Sequence, residues 1–414
     1  MTSQSLSGPN FPQPSIGITG QRVSTRVVSV DIFRGLTMIV MIFVNDLASV
    51  KGLPWWTYHM PGHINAMTYV DMVFPAFLFI VGMAIPLAIN ARLTKHPSIW
   101  RLWVHVILRA ASLLVIGLIL ANAEKGNRAL MGIQPNWWAF IAIVGCVLFW
   151  NVYPKSARFR TLFAALKNIG LLTILVMFAI FRRITPDGHF AWIDTSYWEI
   201  LGIIGWAYLS VCILYIPTRR WRWAPSIWLV LLLLLNIAST AKWLHWPGHV
   251  PPYLWPFGAG SSSLIVMAGV VTSHLFLGPW RDEPFSKKEL WASSFACLSL
   301  IAGWLLTPLG ISKIRATPTW CLYCIAANVL IFAALYWICD IKGRSGWAWF
   351  AKPAGANTLT TYLVPDLYYF ATATCFLASF LNQGWTGVVR SIVFTALMLA
   401  IAALLTKWKV RMQL

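Results

Sequence analysis

Two histidines and an acid lie close together in one early polar stretch. It reads Trp55-Trp56-Thr57-Tyr58-His59-Met60-Pro61-Gly62-His63-Ile64-Asn65, then Ala66-Met67-Thr68-Tyr69-Val70-Asp71. Histidine titrates near neutrality, which makes it the natural base or nucleophile at physiological pH. A neighbouring carboxylate such as Asp71 orients the ring and stabilises its charged form. His59, His63 and Asp71 are therefore candidate catalytic groups. The competing reading is plain polar surface, the usual state of a histidine in an interfacial loop.

The preceding segment adds a cation and an amide. It opens Ser29-Val30-Asp31-Ile32-Phe33-Arg34-Gly35 and continues to Phe43-Val44-Asn45-Asp46. On a helix Asp31 and Arg34 share a face. They either pair with each other, or Arg34 offers its planar fork to a phosphate entering from the cytoplasm. Asn45 follows Arg34 by eleven residues, roughly 16 Å along a helix, so a long ligand entering past Arg34 would meet both. An asparagine at a helix end also serves as a cap.

Further on, Asn357, Thr361 and Tyr362 fall on about one helical face, where they either line a channel or hydrogen-bond to another helix. Lys313 is expected at the outer mouth, and Asp366 is an intramembrane acid without an assigned partner. His105 and His274 offer haem ligands by residue type alone, so no haem is proposed. Cys321-x-x-Cys324 sits in an apolar run without a second pair and reads as buried small hydrophobes. No metal site is proposed. Phosphate loops, nucleophile elbows and His-Glu-x-x-His are absent from the sequence.

The elements that position these groups follow from composition. The chain has 414 residues, of which 58% are hydrophobic and 11% charged, against about 25% charged in a soluble domain. That excludes a soluble globular enzyme, a disordered protein and a coiled coil. A membrane span needs about 20 apolar residues. Twelve runs qualify: 30–50, 70–90, 101–122, 137–153, 167–183, 199–216, 225–242, 261–279, 290–311, 320–339, 354–375 and 390–407. The fourth to sixth are short, which leaves ten or eleven as alternatives. The expected fold is an all-α polytopic integral membrane protein of 11–12 transmembrane helices.

Charge sets the orientation. The net charge is +20, and a nucleic-acid partner would explain a basic chain. The charges fall in short clusters between apolar runs, however, as in a protein oriented by cytoplasmic Lys and Arg. With the N-terminus inside, the inner connections carry 21 Lys and Arg and the outer ones 9. Both termini are expected to be cytoplasmic, and no nucleic acid is expected. Residues 1–26 are polar, lack the apolar stretch of a signal peptide and read as a flexible cytoplasmic tail. Residues 27–414 read as a single transmembrane domain. The seven cysteines lie mostly inside apolar runs, against a disulfide framework. Five of the eight histidines (59, 63, 189, 245 and 249) fall in outer connections with Trp55, Trp56, Trp192, Trp198, Trp243, Trp246 and Trp255. An aromatic belt accounts for most of these, although tryptophan faces also stack on sugars.

The ordered run Ser-Val-Asp-x-Phe-Arg-Gly, Phe-Val-Asn, His-x-Pro and Val-Asp-x-Val-Phe-Pro-x-Phe-x-Phe-Ile-x-Gly, over Ser29 to Gly82, resembles the heparan-alpha-glucosaminide N-acetyltransferase family and its bacterial relatives. Weaker echoes follow at Trp198-Glu-Ile-Leu-Gly202, Lys313-Ile-Arg-Ala-Thr317-Pro-Thr319 and Gly355-Ala-Asn357-Thr-Leu-Thr-Thr-Tyr362. The resemblance implies transfer of an acetyl group across a membrane, from cytoplasmic acetyl-CoA to an amino sugar on the far side. It places the family's catalytic histidine at His59 and an accompanying asparagine at Asn45. Arg34 would then stand where CoA phosphates pass, a role inferred from its position and not carried by the motif. Asn357 and Tyr362 are candidates to line a CoA channel as the alternative to hydrogen bonds between helices. The chain departs from the animal pattern after His59: the run Met60-Pro-Gly-His63-Ile-Asn65 replaces Trp-Asn-Gly and is two residues longer before Asp71. That departure leaves His63 as a rival to His59 and the acceptor open.

Within this reading a neutral His59 deprotonates the acceptor, or attacks first and forms an acetyl-imidazole. Asn45 would donate to the developing oxyanion. The alternative function is a multi-span transporter of a small solute, for which twelve spans with both ends inside is a common layout. A transporter should concentrate polar groups at the midplane of both halves, whereas the dense cluster here lies in the first fifth of the chain. The expected partners are acetyl-CoA, a glucosamine-type sugar or cell-envelope glycan, and the lipid bilayer. The oligomeric state is left open by the sequence; family members are similar in forming dimers, so the resemblance allows a homodimer. The expected location is a bacterial cytoplasmic (inner) membrane.

Overall fold

The computed structural model describes residues 27–154, 158–244, 253–372 and 381–414. The expected tail 1–26 lies outside the described residues, as do Lys155, His245, Trp246, His249 and Cys375.

The helices run in order α1 (Val28–Leu47), α2 (Val70–Lys95), α3 (Ile99–Asn122), α4 (Arg128–Met131), α5 (Pro135–Trp150), α6 (Arg160–Ile180), α7 (Glu199–Thr218), α8 (Ala224–Thr240), α9 (Ser261–Leu277), α10 (Phe285–Leu305), α11 (Pro318–Tyr336), α12 (Lys352–Ala356), α13 (Thr358–Thr372) and α14 (Gly384–Lys407). A π-turn, Trp337–Ile341, extends α11. The strands among the described residues are a two-residue hairpin, β1 (Arg183–Ile184) with β2 (Phe190–Ala191). Among the described residues the apolar runs identified in the sequence are mainly helical, because in hydrocarbon a helix satisfies its backbone donors and acceptors internally. Among the described residues seven helices are long and apolar enough to cross a membrane: α1, α2, α3, α6, α7, α11 with its extension, and α14. Helices α5, α8 and α9 are apolar but shorter. The chain is an all-α polytopic integral membrane protein.

Two of the three runs that looked short are full length, with 21 residues in α6 and 20 in α7. Lys167 does not end α6. Its ammonium lies 6.0 Å over the Tyr153 ring, so its long stem lets a charged residue sit within the helix. The run 354–375 is divided at Asn357, between α12 and α13, where the backbone leaves helical geometry at φ −131°, ψ 52°.

Contacts divide the chain into two compact units, with boundaries inside α1, α3 and α7. The first contains Trp56–Ile107, Trp206–Trp349 and the chain up to Thr37; the second contains Met38–Trp55, Leu108–Gly205 and Phe350–Leu414. The first unit is centred on α2 against α9. A Cβ at Gly82 would stand 1.8 Å from the Val266 carbonyl oxygen, and one at Gly269 would stand 2.0 Å from that of Phe79. Only glycine fits at either position, so the two backbones approach as closely as small residues allow in membrane helix pairs. In the second unit Trp138 is fully buried between α5 and α6, and its Nε1–H donates to the Met177 carbonyl at 2.7 Å.

Candidate active site

The site in the first unit is built around the start of α2. Asp71 is the second residue of that helix, where the unpaired N–H groups of the first turn favour a negative charge. Its side chain is 1% exposed, so it needs partners. The preceding loop supplies them. Oδ2 accepts the backbone N–H of Thr68 at 3.1 Å and of Met60 at 3.3 Å. Oδ1 meets His59 Nδ1 at 2.7 Å. The Thr68 hydroxyl donates to the Tyr58 carbonyl at 2.9 Å, which ties the two sides of the loop together. Trp320 on α11 donates Nε1–H to the backbone carbonyl of Asp71 at 3.1 Å.

These contacts fix the histidine. An ionised carboxylate only accepts, so His59 Nδ1 carries the proton directed at Asp71, and the Nε2 lone pair of the neutral ring points away from it. The side chain of His59 is 38% exposed, open to a reacting molecule although its orienting acid is not. Lys313, on the connection between α10 and α11, brings Nζ to 3.3 Å from His59 Nδ1 and 3.4 Å from Nε2. Because Nδ1–H is committed to Asp71, Nε2 is the ring atom able to accept from Lys313. Burial holds the Lys313 ammonium below the ordinary lysine pKa, against the opposing pull of Asp71. On the same connection Arg315 donates to the Asn65 side-chain carbonyl and so ties it to the histidine loop.

The other sequence-predicted residues fall as follows. His63 is exposed and has no hydrogen-bond partner among the described residues. Arg34 and Asp31 form an i,i+3 pair at 3.5 Å and remain partly exposed, near the start of α1. That start is capped by Asp340, whose carboxylate accepts from the backbone N–H groups of Val28 and Ser29. In the second unit Asn45 is exposed. Its neighbour Asp46 is buried, and it accepts from Ser391 at 2.6 Å, Arg390 at 2.8 Å and the Tyr369 hydroxyl. Asn357 is buried and gives its amide protons to Thr406 Oγ1 and the Val410 carbonyl, both at 2.9 Å. Tyr362 is buried and donates to Glu199 at 3.1 Å. Glu199 and Asp366 both line a cavity of about 530 Å³. Among the described residues no three His, Cys, Asp or Glu side chains cluster as metal ligands would.

Lys313 is the member of the site that sequence reasoning placed too vaguely. It lies 254 residues from His59, so no local spacing could join them. The motif Lys313-Ile-Arg-Ala-Thr317-Pro-Thr319 was its one signal. Thr68 and Trp320 gave no signal, since their roles depend on loop and helix geometry.

Helical bundle and site together define a polytopic membrane protein that carries a carboxylate-oriented histidine at the mouth of a spanning helix. The model of a domain of unknown function, DUF5009, matches residues 26–255, more than half of the chain, and the chain belongs to that family. It is also similar to heparan-alpha-glucosaminide N-acetyltransferase of Mus musculus, 28% identical over 187 residues that cover 40% of this chain and 27% of the mouse protein. The protein of the same name from Homo sapiens is 38% identical over 97 residues, 23% of this chain and 14% of the human one. The matches thus span well under a third of either curated relative.

Proposed function

We propose that this chain is a membrane acetyltransferase that takes an acetyl group from acetyl-CoA on the cytoplasmic side and places it on an amino sugar or glycan on the outer side. The observation that carries this reading is the 2.7 Å contact between His59 Nδ1 and buried Asp71. It fixes one tautomer and directs the Nε2 lone pair to the partly exposed side of the ring, where Lys313 is its neighbour at 3.4 Å. An acceptor that takes the place of that ammonium meets the base that general-base acyl transfer requires. The likeness to heparan-alpha-glucosaminide N-acetyltransferases supports the acetyl group and the sugar amine as reactants.

In the proposed reaction Nε2 removes a proton from the acceptor ammonium, and the freed amine attacks the thioester carbonyl. The C–N bond forms, the C–S bond breaks and the departing sulfur takes up the proton held on Nε2. The acylated nitrogen, still cationic, then gives its surplus proton to the regenerated Nε2, which releases it to solvent. Asp71 stabilises the imidazolium between these transfers. Asn45 is exposed, and its proposed role as donor to the developing oxyanion rests on the resemblance. Arg34 is the candidate for the coenzyme phosphates: its planar fork suits a phosphate, and it keeps partial exposure. Asn357 and Tyr362 are left out of that role because their donors are engaged inside the protein.

The test is CoA release by the purified protein with glucosamine as acceptor. Release that is lost in His59→Ala and kept in His63→Ala supports the assignment. Loss only in His63→Ala transfers the role to His63. No acetyl-CoA turnover with any amino-sugar acceptor sinks the proposal and favours a solute carrier. A stoichiometric burst of CoA without acceptor would mean that His59 itself takes the acetyl group before passing it on.

A further inference from the structure

A second cavity, of about 330 Å³, lies in the first unit away from His59. Its floor is α9, through Val271 and Leu275, and one wall is α10, through Phe295 and Leu298. Arg222, just before α8, and Trp280, just after α9, bring a cation and an indole to the lining at those helix ends. The guanidinium of Arg222 lies 5.3 Å over the Trp280 ring, and Lys287 lies 5.3 Å over Trp291, a further lining residue. Lys287 is neutralised by Glu283 at 3.0 Å. Arg222 has no carboxylate partner among the described residues, and Arg219 and Arg220 precede it.

The surroundings decide what such a cleft can hold. Helix α9 is buried along nearly its whole length. The helices flanking the cleft, α8 and α10, instead present Ile227, Leu231, Leu290 and Leu298 outward. The aliphatic lining is therefore continuous with a surface that faces lipid chains, and the tryptophan and arginine end suits the headgroup level. By the charge pattern of the connections that level belongs to the cytoplasmic leaflet, which carries anionic lipid.

We infer that this cleft binds one anionic phospholipid, with its phosphate on Arg222 and an acyl chain along Leu275, Phe295 and Leu298. A zwitterionic headgroup would bring a second cation against Arg222 and its neighbouring arginines, which selects an anionic one. A soluble phosphate compound would have to cover the aliphatic floor with polar groups. The inference does not depend on the acyl-transfer reading.

The experiment is native mass spectrometry of the full chain released from membranes of equal phosphatidylglycerol and phosphatidylcholine content. Wild type should retain phosphatidylglycerol selectively. Arg222→Ala should reduce the retained lipid about tenfold, the scale of one lost charged hydrogen-bond contact, and Arg222→Lys should keep most of it. Ser294→Trp fills the cleft without altering any charge and should abolish retention; Ser294→Leu serves the same purpose if the tryptophan variant does not fold. Equal retention of both lipids, or undiminished retention in the filled variant, overturns the inference. Displacement of the lipid by CoA also overturns it and assigns the cleft to a nucleotide.

Discussion

At His59 the proposed chemistry turns on which ring nitrogen holds the proton. Asp71→Asn keeps the shape of the carboxylate but presents an amide that can donate to Nδ1, which favours the tautomer with the proton on Nε2 and removes the base. The variant should fold and lose roughly 10²–10⁴-fold in turnover, the range expected for general acid–base catalysis, with KM little changed. Steady-state kinetics beside a thermal unfolding curve checks both halves of that statement. Lys313 adds a pH dependence. Burial depresses its pKa, so its cation is lost, as pH rises, at a lower pH than the ordinary lysine value of about 10.4. If that cation supports the site, activity falls on the alkaline side below the ordinary lysine range. In Lys313→Arg the fall should move to higher pH, because a guanidinium stays charged. An alkaline limb unmoved in the arginine variant would remove Lys313 from the mechanism. The pairing of histidine and aspartate was legible in the sequence, because both lie in one loop and the start of the helix that follows. The lysine was not, because a contact across 254 residues leaves no spacing to read.

Helices were the most legible feature, since long apolar runs in a membrane have few alternatives to helix. Their ends and mutual approach were less so. Lys167 reads as a boundary in the sequence, yet it lies inside α6 with its ammonium over the Tyr153 ring. Asn357 looked like part of a continuous polar face, yet it occupies the break between α12 and α13 and binds the end of α14. The α2–α9 crossing left no mark that sequence spacing could reveal, because Gly82 and Gly269 are single glycines in unrelated runs. Their role carries a prediction. Gly269→Ala places a methyl group 2.0 Å from the Phe79 carbonyl oxygen, so the helices must separate. Overpacking of this kind costs roughly 1–3 kcal/mol, and the variant should unfold at a lower temperature in detergent. Gly346→Ala is the control: a Cβ there meets nothing within 4 Å, so its unfolding midpoint should match wild type.

At the scale of the whole molecule, acetyl transfer across a membrane needs the histidine loop and the coenzyme entrance on opposite sides. On the count read from the sequence, 21 Lys and Arg in one set of connections against 9 in the other, orientation by cytoplasmic positive charge would put the loop bearing His59 outside and the Arg219–Arg220–Arg222 connection inside. Both sets of residues can be labelled. His63 is exposed and not essential in the proposed mechanism, so His63→Cys reports on its loop, and Arg220→Cys reports on the opposite set. After the native thiols are blocked or replaced, a membrane-impermeant maleimide should modify His63→Cys in intact cells. It should modify Arg220→Cys only once the membrane is opened. The reverse pattern would place His59 on the cytoplasmic side, where acetyl-CoA and acceptor would meet without any transfer across the bilayer. It would also move the Arg222 cleft to the outer leaflet. Because one orientation sets the side for both the histidine loop and the arginine cleft, this pair of labels tests the sidedness of both proposals at once.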